Sequence, residues 1–147
     1  DVAITAQRSS RPRSMGSLYW QLNDAWPSIS WASIDYYGNK KAFHYKLSEM
    51  YAPILLGMDE NANGSYNLWI SNDLQRDING RVRILVEDMK GNQMFAFSEV
   101  VDVKANSCYR LPESIKINVS KKRKSECFAR IILMEEDTVL IPTAESL

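Results

Sequence analysis

From residue 54 onward the chain is built of short stretches, several alternating apolar and polar residues with a period of two. Tyr66, Leu68 and Ile70 share one face of such a stretch; Val82, Ile84 and Val86 share one face of another. A period of two is the mark of a half-buried strand, because successive side chains point to opposite faces. Strands are expected at 54–58, 66–72, 81–89, 93–103, 115–119, 127–134 and 138–141. Asn63-Gly64, Asn79-Gly80 and Lys90-Gly91-Asn92 supply turn chemistry between them. Short strands in this number and at this spacing predict an antiparallel β-sandwich. Phe95, Phe97, Val101 and Val103 can share a face that Glu99 interrupts, which points to an edge or a bulge. The basic stretch 121–126 reads as a solvated hairpin loop, with an anionic contact patch as its functional alternative.

Residues 1–53 read differently. Trp20, Trp26 and Trp31, three of the four tryptophans, lie within twelve positions. Residues 15–22 read as a strand apolar on both faces, as a buried parallel strand is. Residues 39–52 read as a helix, with Phe43, Leu47, Met50 and Tyr51 at helical spacing and Pro53 as its stop. The loop 23–38 joins them. One strand and one helix cannot cover each other's apolar faces, so this region calls for neighbours. Strand, decorated loop and helix make one βα unit, in which the loop after the strand carries function.

Composition narrows the function classes. The chain has 147 residues, with 18 Lys+Arg against 18 Asp+Glu, so no broad basic field for nucleic acid is expected. No apolar run approaches the length that spans a bilayer, so no membrane partner is expected. Cys108, Cys127 and the single His44 are too few for a disulfide framework or a Cys/His metal centre. Whether the two cysteines pair is left open. No cofactor is expected. Asp102 with Asn106, and Glu135-Glu136-Asp137, read as surface turns rather than cation sites.

The segment Tyr19-Trp20-Gln21-Leu22-Asn23-Asp24-Ala25-Trp26-Pro27-Ser28-Ile29-Ser30-Trp31 interleaves indoles with amide and carboxylate groups. Sugars are read by such surfaces, their C–H faces on aromatic rings and their hydroxyls on planar donors and acceptors. The structural alternative is that the tryptophans fill a core and Asn23-Asp24 closes a turn. Asp35 reads as a turn anchor, and His44 as packed or hydrogen-bonded where the helix meets the sandwich.

The run from Met15 to Tyr45, with Arg11-Pro12-Arg13 before it and Tyr51-Ala52-Pro53 after it, resembles the β-mannosidases of glycoside hydrolase family 2. It looks like the last strand, loop and helix of their catalytic (β/α)8 barrel. The resemblance implies that 1–53 is the end of that barrel, with Asp1–Gln7 a remnant helical turn. It implies that 54–147 is the immunoglobulin-like sandwich that follows. The fold class expected is therefore mainly β, an immunoglobulin-like sandwich preceded by the last βα unit of a barrel.

The family removes terminal non-reducing β-D-mannose with retention, using two glutamates that match no residue here. The resemblance thus implies a piece of a longer enzyme, inactive alone, whose sandwich is structural. Its partners would be β-mannoside oligosaccharides and the remaining barrel and amino-terminal domains, with self-association when these are missing. Trp20 is expected to be the sugar platform, with Asn23, Asp24, Trp26 and Trp31 as further substrate-binding residues; Asn23 and Asp24 alternatively hold the loop. The rival classes are a non-catalytic carbohydrate-binding module and a related family 2 exo-glycosidase acting on β-glucosaminides, β-galactosides or β-glucuronides. Asn63-Gly64-Ser65 and Asn118-Val119-Ser120 match the glycosylation pattern, a common chance match, and compartment is left open among cytoplasm, periplasm and lysosome.

Overall fold

The computed structural model describes residues 2–119, 126–136 and 138–146, the last six of these in backbone alone. Two helices, α1 (Val2–Ser9) and α2 (Ala42–Met50), precede the strands. The strands are β1 (Ile54–Glu60), β2 (Tyr66–Asn72), β3 (Ile78–Asp88), β4 (Gln93–Val103), β5 (Ser107–Arg110), β6 (Cys127–Glu135) and β7 (Thr138–Ser146). They form two antiparallel sheets, of order β1-β2-β5 and β4-β3-β6-β7. The chain is mainly β, an immunoglobulin-like sandwich.

The core lies between the sheets. Leu68 and Ile70 of β2 meet Val82, Ile84 and Val86 of β3, Val101 and Val103 of β4, and Ala129, Ile131 and Leu133 of β6, all fully or almost fully buried. These are the alternating positions of their strands, and each large aliphatic side chain contributes roughly 1.5–3 kcal/mol by leaving water. Trp69, on the other face of β2, is buried too, with its indole Nε1 donating to Asp59 Oδ1 at 3.2 Å. β4 is an edge strand with Glu99 on its inward face, opposite Val82 in the ladder. An inward-pointing charge is one way an edge resists pairing with another sheet.

The structure corrects several expectations. No strand forms over 15–22, and no barrel or βα unit is present among the described residues. A strand needs a hydrogen-bonded neighbour along its length, whereas here Gln21 and Leu22, at the segment's end, accept from Ser33 N and Ile34 N, and Asn23 and Ile34 make one isolated parallel bridge just beyond it. The helix expected at 39–52 starts later, because residues 33–41 are held in a turn. The strand expected at 115–119 reduces to one bridge between Ile115 and Tyr66. Ile115, Ile117 and Val119 are still buried with a period of two. Residues 107–110 pair with β2 instead. Pro112 then carries no N–H and breaks the ladder between Arg110 and Ile115. Within 121–126, only Glu126 falls among the described residues, and it is exposed. Cys108 and Cys127 are both free.

Among the described residues, the first region is tied to the sandwich around the ends of α1 and α2. Ile4 of α1 packs with Leu47 and Met50 of α2, and Tyr19 lies against them. Arg8, only 7% exposed, donates through Nη1 to the carbonyls of Met50 at 2.6 Å and Ala52 at 2.7 Å. Those are carbonyls at the end of α2 that the helix itself leaves unpaired, where a cation is favoured. Asp73, just past β2, lies 3.2 Å from Arg8 Nη2 and 2.8 Å from Arg11 Nη1. Arg110 Nη2 donates to the Ser9 carbonyl at 2.9 Å, joining β5 to the end of α1.

Candidate functional site: an aromatic loop on a hydrogen-bonded frame

The loop between Trp20 and Lys41 folds back on itself. Asp24 N donates to the Ile34 carbonyl at 3.0 Å, Ile34 N to Leu22 at 2.9 Å, and Ser33 N to Gln21 at 3.2 Å. Lys41 N donates to the Ser33 carbonyl at 2.9 Å, which carries the frame to the start of α2. Ser33 is fully buried at its centre. Its hydroxyl donates to the Leu22 carbonyl at 2.9 Å and lies 3.2 Å from Tyr19 Oη and 3.3 Å from His44 Nδ1. His44 is therefore hydrogen-bonded to the loop rather than placed against the sandwich. Asp35 accepts from Asn39 N at 2.7 Å and Nδ2 at 2.9 Å, closing the turn that leads into α2.

Asp24 is 5% exposed, and both its oxygens are engaged. The Ser30 hydroxyl donates to Oδ1, and Lys41 Nζ donates to Oδ2 at 2.8 Å. These bonds, Lys41's first, hold the Asp24 carboxyl below the usual carboxylate range. Ser30 Oγ also accepts from Ala32 N at 3.0 Å. Asp24 thus ties both ends of the tryptophan-bearing segment to the base of α2. Lys41 and Ser30 have no motif of their own, and nothing in the sequence marks them.

The three tryptophans stand outside this frame. Trp20 is 77% exposed, Trp26 68% and Trp31 71%, and Leu18, Leu22 and Ile29 beside them are exposed as well. None of the three indoles pairs with another aromatic ring among the described residues; the nearby ring pairs are Tyr19–Phe43 and Tyr36–Tyr37. Asn23 is exposed, its Nδ2 donating to the Asp24 carbonyl at 3.2 Å, and Gln21 Nε2 donates to the Asn23 carbonyl at 3.1 Å. The structure thus separates the expected site residues into exposed Trp20, Asn23, Trp26 and Trp31 and a buried anchor, Asp24. The three indoles and the apolar side chains beside them form one exposed surface, which is the candidate site. Among the described residues, no three His, Cys, Asp or Glu side chains converge on a metal position.

Known proteins resemble the chain in both sequence and shape. A β-mannosidase A of Aspergillus oryzae is 37% identical over 83 residues, which is 56% of this chain and 9% of that protein. The chain thus matches about a tenth of the length of such curated relatives. The structure of a β-D-mannosidase from Dictyoglomus thermophilum superposes with a TM-score of 0.85 at 24% identity, over 97% of this chain and 17% of that one. An exo-chitosanase from Amycolatopsis orientalis superposes with a TM-score of 0.70 at 18% identity, over 98% of this chain and 18% of that one. These two likenesses show a shared fold. Residues 64–144, more than half of the chain, match the Mannosidase Ig/CBM-like domain, and the chain belongs to that family.

Proposed function

We propose that this chain is the sandwich and active-site junction of a retaining β-mannosidase of glycoside hydrolase family 2, an enzyme that hydrolyses terminal non-reducing β-D-mannose residues. The carrying observation is the aromatic loop: three exposed indoles held on a frame that Asp24 locks to α2. Sequence likeness to β-mannosidases and fold likeness over 97% of the chain to one of them support the reading. In the whole enzyme, 1–53 ends the catalytic barrel and 54–147 forms the domain that follows. Residues 15–22 gain there the neighbouring strands that would make them a strand. Trp20 is the sugar platform, Asn23 a hydroxyl partner, and Trp26 and Trp31 the rim; Asp24 acts through the loop it anchors.

The catalytic carboxylates belong to the rest of the barrel. A retaining site needs two carboxyl groups about 5–5.5 Å apart across the scissile bond. The loop's two carboxylates are both engaged, Asp24 by Ser30 and Lys41 and Asp35 by Asn39. The 147-residue chain by itself is therefore expected to give no turnover of a chromogenic β-mannoside above a protein blank. Its exposed aromatic face would instead self-associate when the rest of the barrel is missing.

The decisive comparison is Trp20→Ala against Trp69→Ala in the full-length enzyme. Loss of the platform is expected to lower kcat/KM on a β-mannoside by about 2–4 kcal/mol in transition-state terms, with normal folding. Trp69 is 1% exposed on the face of β2 away from the inter-sheet core, so its loss should appear in thermal unfolding instead. Near-native kcat/KM in a folded Trp20→Ala enzyme removes Trp20 from the sugar site. The same assay on β-glucosaminides, β-galactosides and β-glucuronides separates the mannosidase from its family relatives.

A further inference from the structure

Glu99 is out of place in the sandwich. It follows Phe95 and Phe97 and precedes Val101 and Val103 on the inward face of β4, where the other residues are apolar. Val101 and Val103 are buried, the two phenylalanines are half-buried, and Glu99 is exposed. The cause lies in the facing sheet. Its edge strand β5 stops at Arg110; Leu111 N still donates to the Leu68 carbonyl at 3.0 Å, and residues 112–114 then leave the ladder. Between β4 and the segment 111–116 the sandwich stays open, as a cleft of about 400 Å³.

Phe95, Phe97, Glu99, Glu113 and Lys116 line this cleft, with Pro112 at its wall. The two phenyl groups lie two residues apart on one strand face, about 7 Å along the strand. Glu99, Glu113 and Lys116 make no hydrogen bond or ion pair with any described residue. Protection of the β4 edge accounts for Glu99 alone. It does not account for a second carboxylate and an ammonium around the same two rings. Apolar platforms, hydrogen-bond acceptors and a donor within one open cleft match a polyhydroxylated ring, which presents C–H faces and hydroxyls together.

We propose that this cleft is a saccharide-binding site of the sandwich, separate in its residues from the aromatic loop. It takes a neutral β-linked oligosaccharide whose C–H faces lie on Phe95 and Phe97. The sugar hydroxyls donate to Glu99 and Glu113 and accept from Lys116. Only the choice of a mannan probe rests on the proposed mannosidase function.

The test is a titration of the isotopically labelled 147-residue chain with β-1,4-mannohexaose, and in parallel with cellohexaose, followed by amide NMR shifts. Saturable shifts at 95–99 and 111–116 with either hexaose are expected. Glu99→Gln and Phe97→Ala should each weaken binding at least tenfold, and Lys46→Ala on α2 should leave it unchanged. Glu99→Gln keeps the side-chain shape at an exposed position, so it decides the matter if Phe97→Ala fails to fold. No saturable shift with either sugar overturns the site, as does unchanged binding by both Glu99→Gln and Glu113→Gln. Shifts confined to residues 20–31 overturn it while leaving the mannosidase reading intact. Loss of mannoside turnover in the Trp20→Ala enzyme has no bearing on it. Binding of a lysine-rich peptide in place of both sugars overturns it in favour of edge recognition of protein.

Discussion

Gly57 and Trp69 face each other across β1 and β2, and the indole occupies the space where a side chain on residue 57 would stand. A Cβ at Gly57 would lie 2.2 Å from Trp69 Cζ2 and 2.7 Å from Cε2. Trp69 is in turn fixed by its bond to Asp59 two residues further along β1. The glycine in this strand is therefore a packing requirement of the tryptophan. Gly57→Ala must push the ring aside, at a cost of about 1–3 kcal/mol. A urea titration followed by tryptophan fluorescence should show a lower midpoint. An unchanged midpoint would mean that the ring moves freely.

Arg8 should be the most costly polar side chain to remove from the first region. Burial lowers its pKa, and Asp73 opposes that shift. Removing the guanidinium leaves the Met50 and Ala52 carbonyls and the Asp73 carboxylate without their buried partner, a loss on the order of 3 kcal/mol. In Arg8→Met, amide exchange should rise roughly a hundredfold in α1 and α2, while β3 and β6 stay protected. Equal acceleration in both regions would show that the helices and the sandwich open as one unit.

Asp24 gives the aromatic loop a pH dependence whose sign follows from its partners. Its folded pKa lies below the unfolded value of about 3.9 because Lys41 and then Ser30 bond to the charged form. The stabilisation is present above the unfolded value and is lost as pH falls through the folded one. Asp35, Asp77, Asp88 and Glu135 are lowered as well, so the whole chain should weaken in acid. The specific readout is the difference between the native chain and Asp24→Asn in thermal unfolding. That difference should be largest near neutrality and shrink below about pH 4. A difference constant down to pH 2 would separate Asp24's role from its charge.

Local pattern alone was enough to mark the inner sheet faces. The alternation of Tyr66, Leu68 and Ile70, and of Val82, Ile84 and Val86, sends those residues inward whatever the neighbouring strand is. The break at Glu99 likewise announced an edge, since a charge is tolerated where one side of the strand meets water. Pairing is another matter, because it depends on which backbone groups meet. Ile115, Ile117 and Val119 alternate and are buried, yet the far edge of β2 is taken by Ser107–Arg110, whose pattern is unremarkable. In the first region, residues 15–22 carry the composition of a buried strand, but beyond the bonds that Gln21 and Leu22 accept from the returning loop they pair with no strand among the described residues, so they stay irregular. The density of tryptophan between 20 and 31 was plain to read. That Asp24 is locked by Ser30 and Lys41 was not, because residues six and seventeen positions away meet it only when the loop closes on α2. A sequence determines which faces are apolar, since that is a property of each residue and its period. Which polar groups satisfy one another is a property of pairs distant along the chain, and only the tertiary structure decides it.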